Sequence, residues 1–197
     1  IKLGSPVRFL SVGRAVEKKG YEDLLAALAS LPAELDWTFT HIGGGPRLKS
    51  LKRVATSCGL ERRTTWLGAQ TQREVIHAYQ NADVFVLACK IARNGDRDGL
   101  PNVLMEAQSQ GLACIATRVS AIPELIRHEE TGLLAAPGDP EDLARQITRL
   151  IGDFDLRKRL AEAGWTQVRS EFSFADCIGV IAVKFGLDEA NTTQKSA

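Results

Sequence analysis

Neither basic nor acidic residues dominate this chain, and it has no extended apolar stretch. Twenty-five Lys and Arg stand against 24 Asp and Glu, a formal net charge of +1 over 197 residues. So close a balance creates no broad positive field for nucleic acid, and any anion site has to be local. No run approaches the length of a membrane span, and the first residues lack the pattern of a signal peptide. Cysteine is sparse: Cys58, Cys89, Cys114 and Cys177 show neither CxxC spacing nor a disulfide framework. Cys89 and Cys114 fall in apolar strand-like runs, where small buried thiols are expected, and a reducing, cytoplasmic setting fits. His41, His77 and His128 have no HxxxH or HExxH spacing and no neighbouring cysteine, so structural or solvated roles are expected and no metal site. There is no GxSxG elbow and no general base that stands out. Methionine occurs once, at Met105, and the chain opens Ile1-Lys2-Leu3, which suggests a piece of a longer polypeptide.

What is present is enough for a full core, with 44% hydrophobic and 25% charged residues. Strand-like and helix-like segments alternate. Strands are predicted over Val7–Val12, Trp37–Ile42, Thr64–Leu67, Asp83–Ala88, Ala113–Ala116 and Gly132–Ala135. Helices are predicted over Tyr21–Leu31, around Leu48, Leu51 and Val54, over Arg73–Gln80, from the Pro101 region to Gln110, and over Ile122–Arg127. Beyond Asp139 the pattern is helical only, with helices starting near Asp139 and Asp155 and an apolar one over Phe174–Phe185. Such alternation predicts an α/β fold: a doubly wound, Rossmann-like parallel sheet of about six strands, with helices on both faces and a helical C-terminal end. Residues 1–186 read as one domain and 187–197 as a polar tail.

The segment Asp98-Gly-Leu-Pro-Asn-Val-Leu-Met-Glu106 carries the most information. Pro101 suits a first helical turn, and the amides beyond it would offer a phosphate their partial positive charge. At 1.5 Å of rise per residue, Glu106 lies about 7 Å further along, roughly the step from a phosphate to a ribose. The spacing therefore fits a nucleotide diphosphate sugar. Alone, the two acids could equally be capping and solvation; the Gly-Leu-Pro-Asn between them, and a position after the fourth strand, favour a site.

Val12-Gly13-Arg14, followed by Lys18-Lys19-Gly20, leaves the first strand at the same end. Gly13 lets the chain turn, Arg14 offers a planar fork to phosphate oxygens, and Lys19 offers a compact charge. Gly43-Gly44-Gly45-Pro46 closes the second strand without matching GxGxxG or a Lys-bearing phosphate loop. Glycine there allows positive φ and close approach to a base or a neighbouring domain, and a tight turn explains it as well.

Together these segments resemble the C-terminal, donor-binding domain of GT-B fold retaining glycosyltransferases of family 4, the group 1 glycosyltransferases, over about residues 7–172. The resemblance rests on Val12-Gly13-Arg14 with Lys19-Gly20, on Ile42-Gly43-Gly44-Gly45-Pro46, and above all on Asp98–Glu106. This last block continues into Ala107, Gly111, Ala116-Thr117-Arg118 and Ile122-Pro123-Glu124-Leu125. It implies half of a GT-B fold, and a sugar moved from a nucleotide diphosphate sugar to a hydroxyl acceptor. Arg14 and Lys19 would bind the diphosphate, Glu106 would accept from the ribose hydroxyls, and Asp98 would lie near the donor sugar. Backbone amides of Gly99, Leu100, Pro101's neighbour Asn102 and Val103 would hold phosphate and sugar, with Gly44 and Pro46 near the base or ribose. No cofactor or metal is implied, since the two cations take a metal's place, and UDP or GDP is favoured over ADP.

Two departures stand out. The first acid is Asp98 where Glu is usual, one methylene shorter, and Ser120-Ala121 replaces a frequent Gly-Gly, leaving less freedom for positive φ. The resemblance also implies that an N-terminal acceptor domain is absent from this chain, so the fragment alone would be inactive. The partners implied are the donor, that domain, and an acceptor glycan or lipid-linked sugar, with any contact at the inner face of the membrane carried by the absent half. The alternatives are half of a GT-B phosphorylase or nucleotide-sugar epimerase, or a non-catalytic nucleotide-sugar-binding or partner-docking module.

Overall fold

The alternation in the first strand decides which face each element covers. In β1 (Val7–Val12), Val7 and Phe9 enter one apolar core and Leu10 the other. A computed structural model describes residues 6–172, and Cys177, the helix expected over Phe174–Phe185 and the tail expected at 187–197 lie outside the described residues. Within them, β1 is followed by α1 (Tyr21–Ala29), β2 (Trp37–Ile42), α2 (Leu48–Ser57), β3 (Thr64–Gly68), α3 (Gln72–Gln80) and β4 (Val84–Leu87). Then come α4 (Asn102–Ser109), β5 (Ala113–Thr117), α5 (Ile122–Leu125), β6 (Leu133–Ala135), α6 (Pro140–Gly152) and α7 (Phe154–Glu171).

The six strands form one parallel sheet in the order β3-β2-β1-β4-β5-β6. Every residue of β4 and β5 is buried, as expected of central parallel strands covered on both sides. On one face Phe9, Phe39, Val86 and Ile115 pack with Leu24 and Leu28 of α1, Leu51 of α2 and Ile147 of α6. On the other, Leu10, Phe85, Leu87 and Cys114 pack with Tyr79 of α3, Leu104 and Ala107 of α4 and Ile122 of α5. Helix α7 serves both, with Leu160 in the first core and Val168 against the second. The doubly wound fold expected from the alternation is the fold observed.

Boundaries differ where local chemistry intervenes. Helix α1 stops at Ala29, short of the expected Leu31, because the Ser30 hydroxyl donates to the Ala27 carbonyl and Pro32 follows. Helix α5 ends at Leu125 rather than Arg127, where Ile126 turns extended at ψ 98°. Helix α3 begins on a reciprocal capping box of Thr71 and Glu74, and α6 and α7 start on the caps Asp139 and Asp153. Pro101 does not lie in the first turn of α4: it is the extended N-cap, φ −67° and ψ 118°.

Candidate active site

The strand order reverses between β1 and β4, and a ligand crevice opens at such a point, beyond the carboxyl ends of the strands. The chain leaves β1 toward α1 on one face and β4 toward α4 on the other, so the loops Gly13–Gly20 and Ala88–Pro101 meet there. They are knitted by hydrogen bonds: the Lys90 N–H donates to the Lys18 carbonyl at 2.9 Å, and the Arg93 N–H to the Glu17 carboxylate oxygen Oε1 at 3.1 Å. Gly20 makes the approach possible. It sits at φ 63°, and a Cβ there would fall 1.8 Å from the Ala88 carbonyl oxygen. The buried Thr117 hydroxyl, at the end of β5, donates to the Cys89 carbonyl and ties the second loop to the sheet.

Two cations and a carboxylate from these loops converge. Lys19 Nζ lies 2.8 Å from Asp98 Oδ2, and Lys18 Nζ lies 3.4 Å from Asp98 Oδ1 and 3.0 Å from Asp96. Burial alone would raise the Asp98 carboxyl. The hydrogen bond and charge of Lys19, the charge of Lys18 and the Cys89 thiol at 3.5 Å outweigh it and hold Asp98 below the usual range. Asp98, expected at the donor sugar, is thus paired with the very lysine expected at the diphosphate. Gly13 leaves room for the buried Tyr21 hydroxyl, which a Cβ would approach to 2.9 Å, while Lys19 Cε would lie in ordinary contact at 3.5 Å. Arg14 is exposed, and its guanidinium makes no ion pair or hydrogen bond among the described residues.

The glycine loop after β2 packs on the first loop. Gly43 (φ 142°) and Gly45 (φ 141°) would push a Cβ to 2.0 Å from the Gly13 oxygen and 2.7 Å from the Ala15 nitrogen. The Ala15 N–H donates to the Gly44 carbonyl at 2.7 Å, and a Cβ on Gly44 would meet open space. The close approach allowed by these glycines is therefore to the protein's own first loop, and Pro46 is exposed beside it. His41, behind them, is fully buried, edge-on to Tyr21 with ring centroids 4.6 Å apart, and burial pulls it down to about 4. It stays neutral.

On the other side of the crevice, Pro101 as N-cap leaves the Asn102 and Val103 N–H groups ahead of the first helical bond, which Leu104 makes to the Pro101 carbonyl at 3.0 Å. Gly99 is open to a Cβ, and Leu100 packs against the second core. One helical turn on, Glu106 is exposed, and its Oε2 accepts from the Tyr79 hydroxyl at 3.0 Å. Glu106 and Tyr79 line a cleft of about 450 Å³ with Val12, Gln70, Gln72 and Gln110. Val12 joins this cleft to the basic loop that follows it. Ser120 takes φ 50° despite its side chain, so the missing glycine did not prevent the left-handed turn.

Sequence reasoning passed over Lys18 as a site residue, and Tyr79 and the glutamines altogether. Lys18 stood beside Lys19 in the same basic run and could have been included. Tyr79 sits four residues after Val75 and looks like any core position of a helix; nothing local points to Glu106.

The profile of the family described as "Glycosyl transferases group 1" matches residues 2–167. The chain is 37% identical over 173 residues to the amylovoran biosynthesis glycosyltransferase AmsK of Erwinia amylovora, covering 87% of this chain and 42% of that protein. It is 30% identical over 173 residues to a GDP-mannose-dependent alpha-(1-6)-phosphatidylinositol monomannoside mannosyltransferase of Mycobacterium tuberculosis, covering 87% and 45%. Its fold matches Anabaena HepE in complex with UDP at a TM-score of 0.81 and 22% identity, over 92% of this chain and 49% of that one. The C-terminal domain of the group 1 glycosyl transferase LpcC from Francisella tularensis matches at 0.74 and 25% identity, over 86% and 89%. The fold is that of GT-B glycosyltransferases, and the chain spans less than half the length of these two curated relatives. A match over nearly all the described residues settles the family: the chain belongs to the group 1 glycosyl transferases.

Proposed function

We propose that this chain is the donor-binding half of a retaining, family 4 glycosyltransferase, which moves a sugar from a nucleotide diphosphate sugar to a hydroxyl of a glycan, polysaccharide or glycolipid. The observation that carries the reading is the meeting of the Arg14–Lys19 loop with the Asp98–Glu106 segment at the reversal of strand order. In transfer, the bond from the anomeric carbon to the diphosphate oxygen breaks, the acceptor oxygen bonds to that carbon, and the acceptor hydroxyl proton passes to the departing diphosphate. Charge accumulates on the leaving diphosphate. Arg14, unpaired among the described residues, and Lys19 would meet it in place of a metal, stabilising charge as it develops. The free amides at the start of α4 add their partial positive charge.

Asp98 holds Lys18 and Lys19 at the mouth of the crevice while its shorter side chain stands near the sugar subsite. Glu106, across the crevice, would accept from the ribose and set the distance from nucleotide to reacting carbon, a positioning contribution. A UDP complex of HepE and the GDP-mannose dependence of the mycobacterial mannosyltransferase favour UDP or GDP over ADP. Acceptor contacts would come from an N-terminal domain outside this chain, in a cytoplasmic protein resting on the inner face of the membrane through that domain.

Calorimetric titration with UDP, GDP and ADP tests the proposal. Binding of UDP or GDP is expected, weakened about tenfold or more by Arg14→Ala, in line with ~1.5–3 kcal/mol for a charge-assisted hydrogen bond. Sugar transfer by this chain alone is expected to be undetectable. No heat with any of the three nucleotides at millimolar concentration would overturn the donor-binding reading.

A further inference from the structure

An exposed glutamate on a helix samples several rotamers, and fixing one costs side-chain entropy. Glu106 is exposed, yet one of its oxygens is held from below. Tyr79, 1% exposed, rises from α3 with its ring 5.8 Å from that of Phe85, and its hydroxyl reaches Glu106 Oε2 at 3.0 Å. The Val103 carbonyl lies 3.4 Å from the same hydroxyl. A phenol has one proton to donate, and the shorter contact to a charged acceptor takes it. Burial, with the neighbouring Glu106 charge, raises the Tyr79 phenol, so it remains a donor at any working pH. Oε1 of Glu106 has no protein partner among the described residues and shares the cleft with Val12 and Gln70.

We propose that Tyr79 is a positioning residue for donor recognition: it pins Glu106 Oε2 so that Oε1 is presented, in one orientation, to the ribose hydroxyls of the nucleotide. The inference rests on the ribose role of Glu106 proposed above. The two helices meet at this bond: the capping box of Thr71 and Glu74 fixes the start of α3, and α4 carries Glu106. Removing the phenolic oxygen leaves the ring and its packing in place and frees only the carboxylate.

The test is the affinity of the chain for UDP or GDP, whichever the wild type binds more tightly, against its 2′,3′-dideoxy analogue. Tyr79→Phe is expected to weaken the ribonucleotide about five- to tenfold and leave the dideoxy analogue unchanged. In a Glu106→Ala background, Tyr79→Phe is expected to change neither. The ratio of the two affinities is independent of the fraction of protein folded, so a modest loss of stability does not obscure it. Equal weakening of both ligands would mean a purely structural tyrosine and would overturn the proposal. So would full discrimination by Tyr79→Phe where Glu106→Ala has lost it. If the wild type itself does not distinguish ribose from dideoxyribose, the ribose role of Glu106 falls first, and the Tyr79 proposal with it.

Discussion

Gly20→Ala tests the contact that assembles the site. Gly20 closes the turn carrying Lys18 and Lys19 and is also the N-cap of α1. An alanine there meets two penalties. At φ 63° an L side chain costs about 1–2 kcal/mol, of which the stiffer unfolded chain returns about 0.4–1. The new Cβ would also fall 1.8 Å from the Ala88 carbonyl oxygen, where real contacts below 3.0 Å are essentially absent. Either that carbonyl or the turn must retreat by more than an ångström, an overpacking cost of about 1–3 kcal/mol. The sum is about 2–4 kcal/mol. Gly59 is the control: at φ 71° its Cβ would meet nothing within 4 Å, so Gly59→Ala carries the conformational penalty alone, about 1 kcal/mol. Urea unfolding of both variants reads the difference in midpoint at constant slope. Calorimetry with UDP or GDP reads its effect on the proposed donor site: Gly20→Ala is expected to pull Lys19 from Asp98 and weaken nucleotide binding, and Gly59→Ala to leave affinity unchanged. Equal destabilisation by the two substitutions, within about 0.5 kcal/mol, would refute the close approach of the β1 and β4 loops.

Two further outcomes follow from single residues. His41 titrates at about 4 in the fold against 6.5 ordinarily, so the unfolded chain binds more protons between those values. Its stabilising contribution is complete above pH 6.5 and is lost as pH falls toward 4, with a slope of up to ~1.4 kcal/mol per pH unit. His41→Phe should flatten urea-derived stability across that window, and an unchanged slope would contradict a neutral buried imidazole. Ser120, exposed at φ 50°, carries left-handed strain of about 1 kcal/mol or more. Ser120→Gly should raise the urea midpoint by an amount equivalent to about 0.5–1 kcal/mol, after glycine's extra unfolded entropy is subtracted; a lower midpoint would show that the serine conformation is not strained.

The layer architecture was legible in the amino-acid order, because period-two and period-3.6 apolar patterns are local and state which face each residue must bury. Val7, Phe9 and Leu10 already divide between two cores before any neighbour is known. That order also put Gly13, Arg14, Lys19 and Asp98 in the connections that follow the first and fourth strands, and Glu106 on the helix after the fourth. The partners of these residues were set by long-range packing. That Lys19 neutralises Asp98, that Gly43 and Gly45 accommodate the first loop, and that Tyr79 holds Glu106 all depend on the order β3-β2-β1-β4-β5-β6. Strand order is fixed by the total burial of both sheet faces, a property of all six strands together and of no segment alone. The same holds for Ser120: its local preference opposes φ 50°, and the packing of Val119 and Ile122 into the second core on either side imposes it.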